Sequence, residues 1–279
     1  MDVDEAVPGE DRDGDGEFLI GLARAFGGAI LFALPLFMTM EMWTIGTSVE
    51  PARFLAFLVV GLLIMMLLAR YSGFEESDGP LDSVLDGFVA FGVGMITGAT
   101  LLWMFGVLER ESGIGGLVGM AAVQAVPAGM GAVLARKQLG GGREEGSARA
   151  GYVAQLFLMM AGALFMAFNV APTEEMVLIA ISMTPGKTIG LMALSIVLLH
   201  VFVYTIGFAG QEERAEGAGF WKTFLHFTLA GYGLALVSSG YVLWTFGSMD
   251  GASLSFLAAM AVVLGFPAAL GAGIARLVV

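Results

Sequence analysis

The spacing of the charges constrains this chain more than any other feature. Charged residues fall in clusters, and between the clusters lie eight apolar stretches. Each is about as long as the roughly 20 residues a helix needs to cross the hydrocarbon of a bilayer. The stretches run near 22–44, 53–71, 86–107, 114–135, 151–171, 188–208, 222–246 and 252–277. Because they are long and apolar on every face, they predict helices rather than the short alternating segments of a membrane barrel. Only 14% of the 279 residues are charged, against about 25% in ordinary soluble domains. The expected fold class is therefore an all-α integral membrane protein with eight transmembrane helices, its first partner being the lipid bilayer.

Several chemistries are excluded or disfavoured at once. The chain has no cysteine, which removes disulfides, thiolate metal sites and cysteine nucleophiles. Its two histidines, His200 and His226, make a zinc site improbable, and no cofactor or metal is expected. A net charge of −12 and the opening "MDVDEAVPGEDRDGDGE" argue against nucleic acid and against docking on anionic lipid. Residues 1–17 are expected to be a solvated, disordered acidic tail. They lack the basic start of a signal peptide, so the tail is expected to be retained.

Orientation follows from the Lys and Arg count. With eight spans, ten of the thirteen cations lie on the side that holds both termini, and only Arg53, Arg110 and Lys187 lie opposite. Cytoplasmic loops are the ones enriched in Lys and Arg, which predicts both termini on the cytoplasmic side of the membrane.

The chain also resembles itself. A shift of 134 positions aligns residues 28–53 with 162–187 without a gap, bringing Thr39 to Thr173, Glu41 to Glu175, Pro51 to Pro185 and Arg53 to Lys187. After a length change, "LLWMFG" (101–106) matches "VLWTFG" (242–247), and "VPAGMGAVLAR" (126–136) matches "FPAALGAGIAR" (266–276). The expected domains are a first four-span repeat at 18–137, a cytoplasmic linker at 138–150 and a second four-span repeat at 151–279. An even number of spans sets both halves the same way up, which predicts pseudo-two-fold symmetry about the membrane normal. The small residues Gly94, Gly98, Ala235 and Ser239 are expected to bring the third and seventh spans together near that axis. Trp103 and Trp244 suit an aromatic belt at the outer ends of those spans, and Pro127 and Pro267 are expected to kink the fourth and eighth.

Each half contains a frame that joins acids to an apolar tail: "TMEMWTIGTSVEPAR" and "TEEMVLIAISMTPGK". The proline suits the first turn of a following helix. A continuous helix from Arg24 to Ser48 would rise about 37 Å, more than the roughly 30 Å hydrocarbon core. The first helix of each half must therefore tilt, overhang or break. In "NVAPTEEM" (169–176), Pro172 favours a break, after which Glu174 and Glu175 would occupy the first turn of a short helix at the positive end of its dipole. Glu41 and Glu175 are then a candidate carboxylate pair, with Glu174 as a third acid and Asn169, Thr173 and Thr39 as neighbouring oxygens. Such a set suits a small cation or a shared proton. The competing reading is plain: acids near the outer interface can reach water and simply finish a helix.

Other polar residues carry weaker signals. His200 and Tyr204 share a face of the sixth span and could relay a proton, but the first-half equivalent of His200 is Met66, so an inter-helix hydrogen bond is the simpler role. Gln124 and Gln155 are read as donors across helices, and His226 and Asp86 as interfacial. "GIGGLVG" (113–119) lacks the Lys-Ser/Thr and the preceding strand of a phosphate loop. No nucleophile with its base can be assembled, so enzymatic activity is not expected.

With the duplicated frame, "APTEE" and the eight-span layout in view, the whole chain resembles a family of integral membrane proteins carried as domain of unknown function 2391. The resemblance implies a multi-pass inner-membrane protein and brings no activity with it. Two functions stay open on the residues: transport or conduction of a small cation or protons, and a non-transporting membrane scaffold or regulatory subunit.

Overall fold

A computed structural model describes residues 10–71, 80–107, 113–139, 151–204 and 220–277, and within these the chain is all helical. In order come α1 (Glu10–Phe37), α2 (Met40–Ser48), α3 (Pro51–Tyr71), α4 (Pro80–Met104) and α5 (Gly113–Leu139). There follow α6 (Tyr152–Val170), α7 (Glu174–Ser182), α8 (Pro185–Tyr204), α9 (Phe220–Thr223), a π-helical segment (Phe224–Leu229), α10 (Ala230–Thr245) and α11 (Leu254–Leu277). Eight helices are long and apolar enough to cross a membrane. They occupy the eight windows expected, with one difference of substance. The first span ends at Phe37 rather than near residue 44, and Met40–Ser48 forms a separate helix. At the other end α1 begins at Glu10, inside the stretch read as an acidic tail.

Local chemistry explains the boundaries. Pro51 and Pro185 open α3 and α8, where a missing N–H costs no hydrogen bond. Glu50 caps α3, its two carboxylate oxygens accepting from the N–H groups of Ala52 and Arg53, both at 3.1 Å. α4 and α10 end in the same turn. The N–H of Val107 reaches Leu102 O and that of Gly106 reaches Trp103 O. Ser248 and Gly247 repeat this on Leu243 and Trp244. Gly106 and Gly247 adopt φ of 69° and 78°, the left-handed conformation that this helix ending requires and that a Cβ would strain.

α5 and α11 are the central helices of their halves. α5 packs on α1, α2, α3 and α4, and α11 on α6, α7, α8 and α10. Glycines set the closest approaches. A Cβ on Gly28 would lie 2.6 Å from Gly131 O, and one on Gly162 would collide with Gly271 O, so α1–α5 and α6–α11 meet backbone to backbone. Pro127 and Pro267 lie inside α5 and α11.

The small residues of the third and seventh spans do not bring those spans to each other. Gly94 and Gly98 face the Ala125 and Ala121 carbonyls of α5, and Ser239 lies beside Gly265 of α11 while donating to Ala235 O at 2.8 Å. Helices joined by a short turn pack antiparallel within a half, and the small side chains serve that approach.

Between the halves, α3 lies against α6 and α10, while α6 also touches α1 and α5. Phe57 of α3 stands between Phe168 (5.4 Å between ring centroids, 85°) and Phe246 (5.8 Å). At one end of this seam Arg53 pairs with Asp250 through two bonds of 2.9 Å and lies 5.6 Å from the Trp244 ring centroid.

Candidate functional site: two interrupted helices

The residues of both candidate frames surround a break between a spanning helix and a nine-residue helix. In the first half α1 stops at Phe37 and α2 starts at Met40; in the second α6 stops at Val170 and α7 starts at Glu174. Shifted by 134 positions, α2 and α7 have the same first and last residues. Thr39 and Thr173 precede the short helices in extended conformation, with φ/ψ of −95°/113° and −76°/138°. Neither hydroxyl caps the helix that follows. Thr39 Oγ1 donates back to Pro35 O at 2.6 Å and Thr173 Oγ1 to Val170 O at 2.8 Å, which satisfies carbonyls left open by the helix that ends.

The two breaks are made differently. Pro172 follows α6 and supplies no N–H, which removes a helical hydrogen bond at the break, although Ala171 before it keeps helical φ/ψ of −56°/−36°. The equivalent position is Met38, and no proline lies in the linker between α1 and α2. There the open carbonyls are taken by side chains: Gln124 Nε2 of α5 donates to Leu36 O at 3.2 Å, and Trp43 Nε1 of α2 donates to Phe37 O at 2.8 Å. The sequence signal for the second break was the proline. For the first there was only the excess apolar length.

The helices that lead into the breaks touch each other. Phe32 and Phe165 meet edge to face at 5.7 Å, each five residues before the end of its helix at Phe37 or Val170. The acids sit in the first turns of the short helices, where the dipole favours negative charge. Glu41 is half-buried, and Glu174 and Glu175 are exposed. Among the described residues no three Asp, Glu or His groups gather closely enough to hold a metal ion. Asn169 is half-buried with its Nδ2 donating to Phe165 O at 2.8 Å, which leaves its amide oxygen as the ligand-type atom. Beside α2 a groove of about 440 Å³ is lined by Gly46, Thr47, Gly115 and Gly116, and none of the acids lines it.

His200 lies away from the breaks. Its Nδ1 is 2.8 Å from Thr228 Oγ1 in the π-helical segment, and its ring meets Phe224 edge to face at 5.4 Å. The side chain of Tyr204 lies outside the described residues. The π-helical segment and the Arg53–Asp250 pair had no warning in the sequence: neither Thr228 nor Asp250 belongs to a motif.

A family model described as "Putative integral membrane protein (DUF2391)" matches residues 21–279. The chain belongs to this family. For this DUF2391 member, the family description and the eight apolar helices agree on a multi-pass integral membrane protein whose surroundings are a lipid bilayer. No curated protein and no solved structure matches the chain.

Proposed function

We propose that this DUF2391 member carries a small cation or protons across the cell's inner membrane, with both termini cytoplasmic and no catalytic activity. We propose too that its four-span halves arose by duplication. The observation that supports the transport reading is the pair of interrupted helices, α1/α2 and α6/α7, with an acid in the first turn of each short helix. Non-helical backbone near membrane depth is tolerated where it is buried in protein or lines a wet cavity. Interrupted helices are a recurring way to build ion sites in carriers. Glu41 and Glu175 are the acting carboxylates in this reading, with Glu174, Asn169, Thr173 and Thr39 as supporting groups. Because no three acids gather among the described residues, this reading places the cation or proton on one or two carboxylates rather than in a multi-carboxylate cage.

One observation favours a second reading. Glu174 and Glu175 are exposed, as they would be in a scaffold or regulatory subunit whose acids finish helices at the water interface. Flux of protons, Na⁺, K⁺ and Ca²⁺ into proteoliposomes separates the two. The expected result is flux with the native chain and its loss in a folded Glu41→Gln, Glu175→Gln double variant. Absence of flux sinks transport and leaves the scaffold, whereas flux indifferent to the variant sinks the carboxylate mechanism alone.

A further inference from the structure

The contact between the halves is used only once. α3 of the first half lies on α6 and α10 of the second, yet its sequence equivalent, α8, makes no contact of that extent with α1 or α4. A closed two-fold pair would return the contact. Enclosure follows the same asymmetry: 33% of the α3 span is buried, against 11% of the α8 span. Each chain is therefore left with one unmatched face of each kind, α8 on one side and α1 with α4 on the other.

The unmatched faces carry apolar, aromatic and cationic residues at the positions equivalent to those of the matched one. Within the chain, Phe57 of α3 enters between Phe168 and Phe246, and Arg53 lies over Trp244 beside them. Shifted by the repeat, Phe57 becomes Leu191 and Arg53 becomes Lys187, both on α8. Phe168, Phe246 and Trp244 become Leu34, Phe105 and Trp103. Leu34, Phe105 and Trp103 are exposed at 40%, 46% and 63%, whereas Phe168 is 1% exposed. Lys187 is exposed and Leu191 half-buried. α1 and α4 also pack on each other, as α6 and α10 do, so the receiving surface is already assembled.

We propose that a second copy of this chain docks its α1–α4 face on α8, repeating between chains the contact that α3 makes within one. An interface of this head-to-tail kind forms a ring where its rotation closes and an open row of copies where it does not, so the assembly holds two or more copies. Leu191 of one copy then enters between Leu34 and Phe105 of the next, and Lys187 approaches Trp103. The proposal rests on the duplication and is independent of ion movement: a chain that assembles this way but passes no ion retains it.

The chain has no cysteine, which makes disulfide trapping clean. Two differently tagged copies, one Leu34→Cys and one Leu191→Cys, are co-expressed and oxidised mildly in native membranes. The expected product is a mixed-tag disulfide, several-fold above either variant alone and above a control pairing of Leu34→Cys with Val59→Cys on the exposed face of α3. Close Cα approach is needed for such a bond. The native chain in lipid nanodiscs is expected to show the mass of two or more copies. A single-chain mass with no mixed disulfide means that lipid alone covers α8, and overturns the proposal. So does a Leu34→Cys product with itself, which is a two-fold contact through α1, or mixed product no greater than the control. A multiple mass without the Leu34–Leu191 bond overturns the docking geometry and leaves the duplication standing.

Discussion

The last turn of α1 shows how single residues close a helix inside a membrane. Leu36 O takes hydrogen bonds from Gln124 Nε2 and Thr39 N–H, and Phe37 O takes one from Trp43. Without water nearby, these acceptors would otherwise be lost. The side-chain oxygen of Gln124 is buried with no partner among the described residues. Gln124→Leu therefore removes one bond and one unsatisfied atom together, and is expected to shift stability by less than about 1 kcal/mol in reversible unfolding in mixed micelles. Gly271→Val is a different case. The Gly271 backbone touches Gly162 of α6, and a Cβ would collide with the Gly162 carbonyl. That change is expected to cost about 1–3 kcal/mol or more, read from the same unfolding measurement. A glutamine at position 124 announces a buried donor, but the sequence cannot name its acceptor 88 residues away.

At the scale of elements, the two breaks have different causes and so different sensitivities. α6 lacks the side chains that hold the end of α1: the equivalents of Gln124 and Trp43 are Leu264 and Val177. Pro172→Ala is expected to let α6 run on into α7, straightening the pair. Spin labels at residues 165 and 181 would then approach the separation of a continuous helix, about 24 Å between Cα atoms at 1.5 Å per residue. An unchanged distance would mean that packing of α7 on α11, not the proline, sets the break. In the first half, Trp43→Phe with Gln124→Leu is the matching test. The eight spans, the proline-led starts of α3 and α8, and the second break were legible because apolar length and proline act locally. The first break was legible only as an excess of apolar residues. The π-helical segment was not legible at all, since its register depends on what His200 and neighbouring helices present to Phe224–Leu229.

For the whole molecule, the self-alignment of the sequence sets like residues at like positions but does not say how α3 comes to lie on α6 and α10. That depends on surfaces such as Phe57 against Phe168 and on the pairing of Arg53 with Asp250. Hydrogen bonding to the Arg53 guanidinium, aided by its charge and opposed by partial desolvation, holds the Asp250 carboxyl below its ordinary value. A lowered pKa means that the pair contributes above the unfolded carboxylate range and loses its contribution as pH falls through the folded value. Native chain and Asp250→Asn are thus expected to differ slightly in melting temperature at neutral pH and to converge as pH falls below about 4. A difference that persists there would mean that Asp250 acts through something other than its charge. The position of the enclosed helices has a further consequence for biogenesis. α5 and α11, the hubs of the two halves, are each the last of their half to leave the ribosome. Until α5 arrives, only α4 can hold α1 and α3 together, and their glycine contacts with α5 wait in lipid or at the insertion machinery. Each half therefore completes its core late, the final helix filling in against partners already in the bilayer.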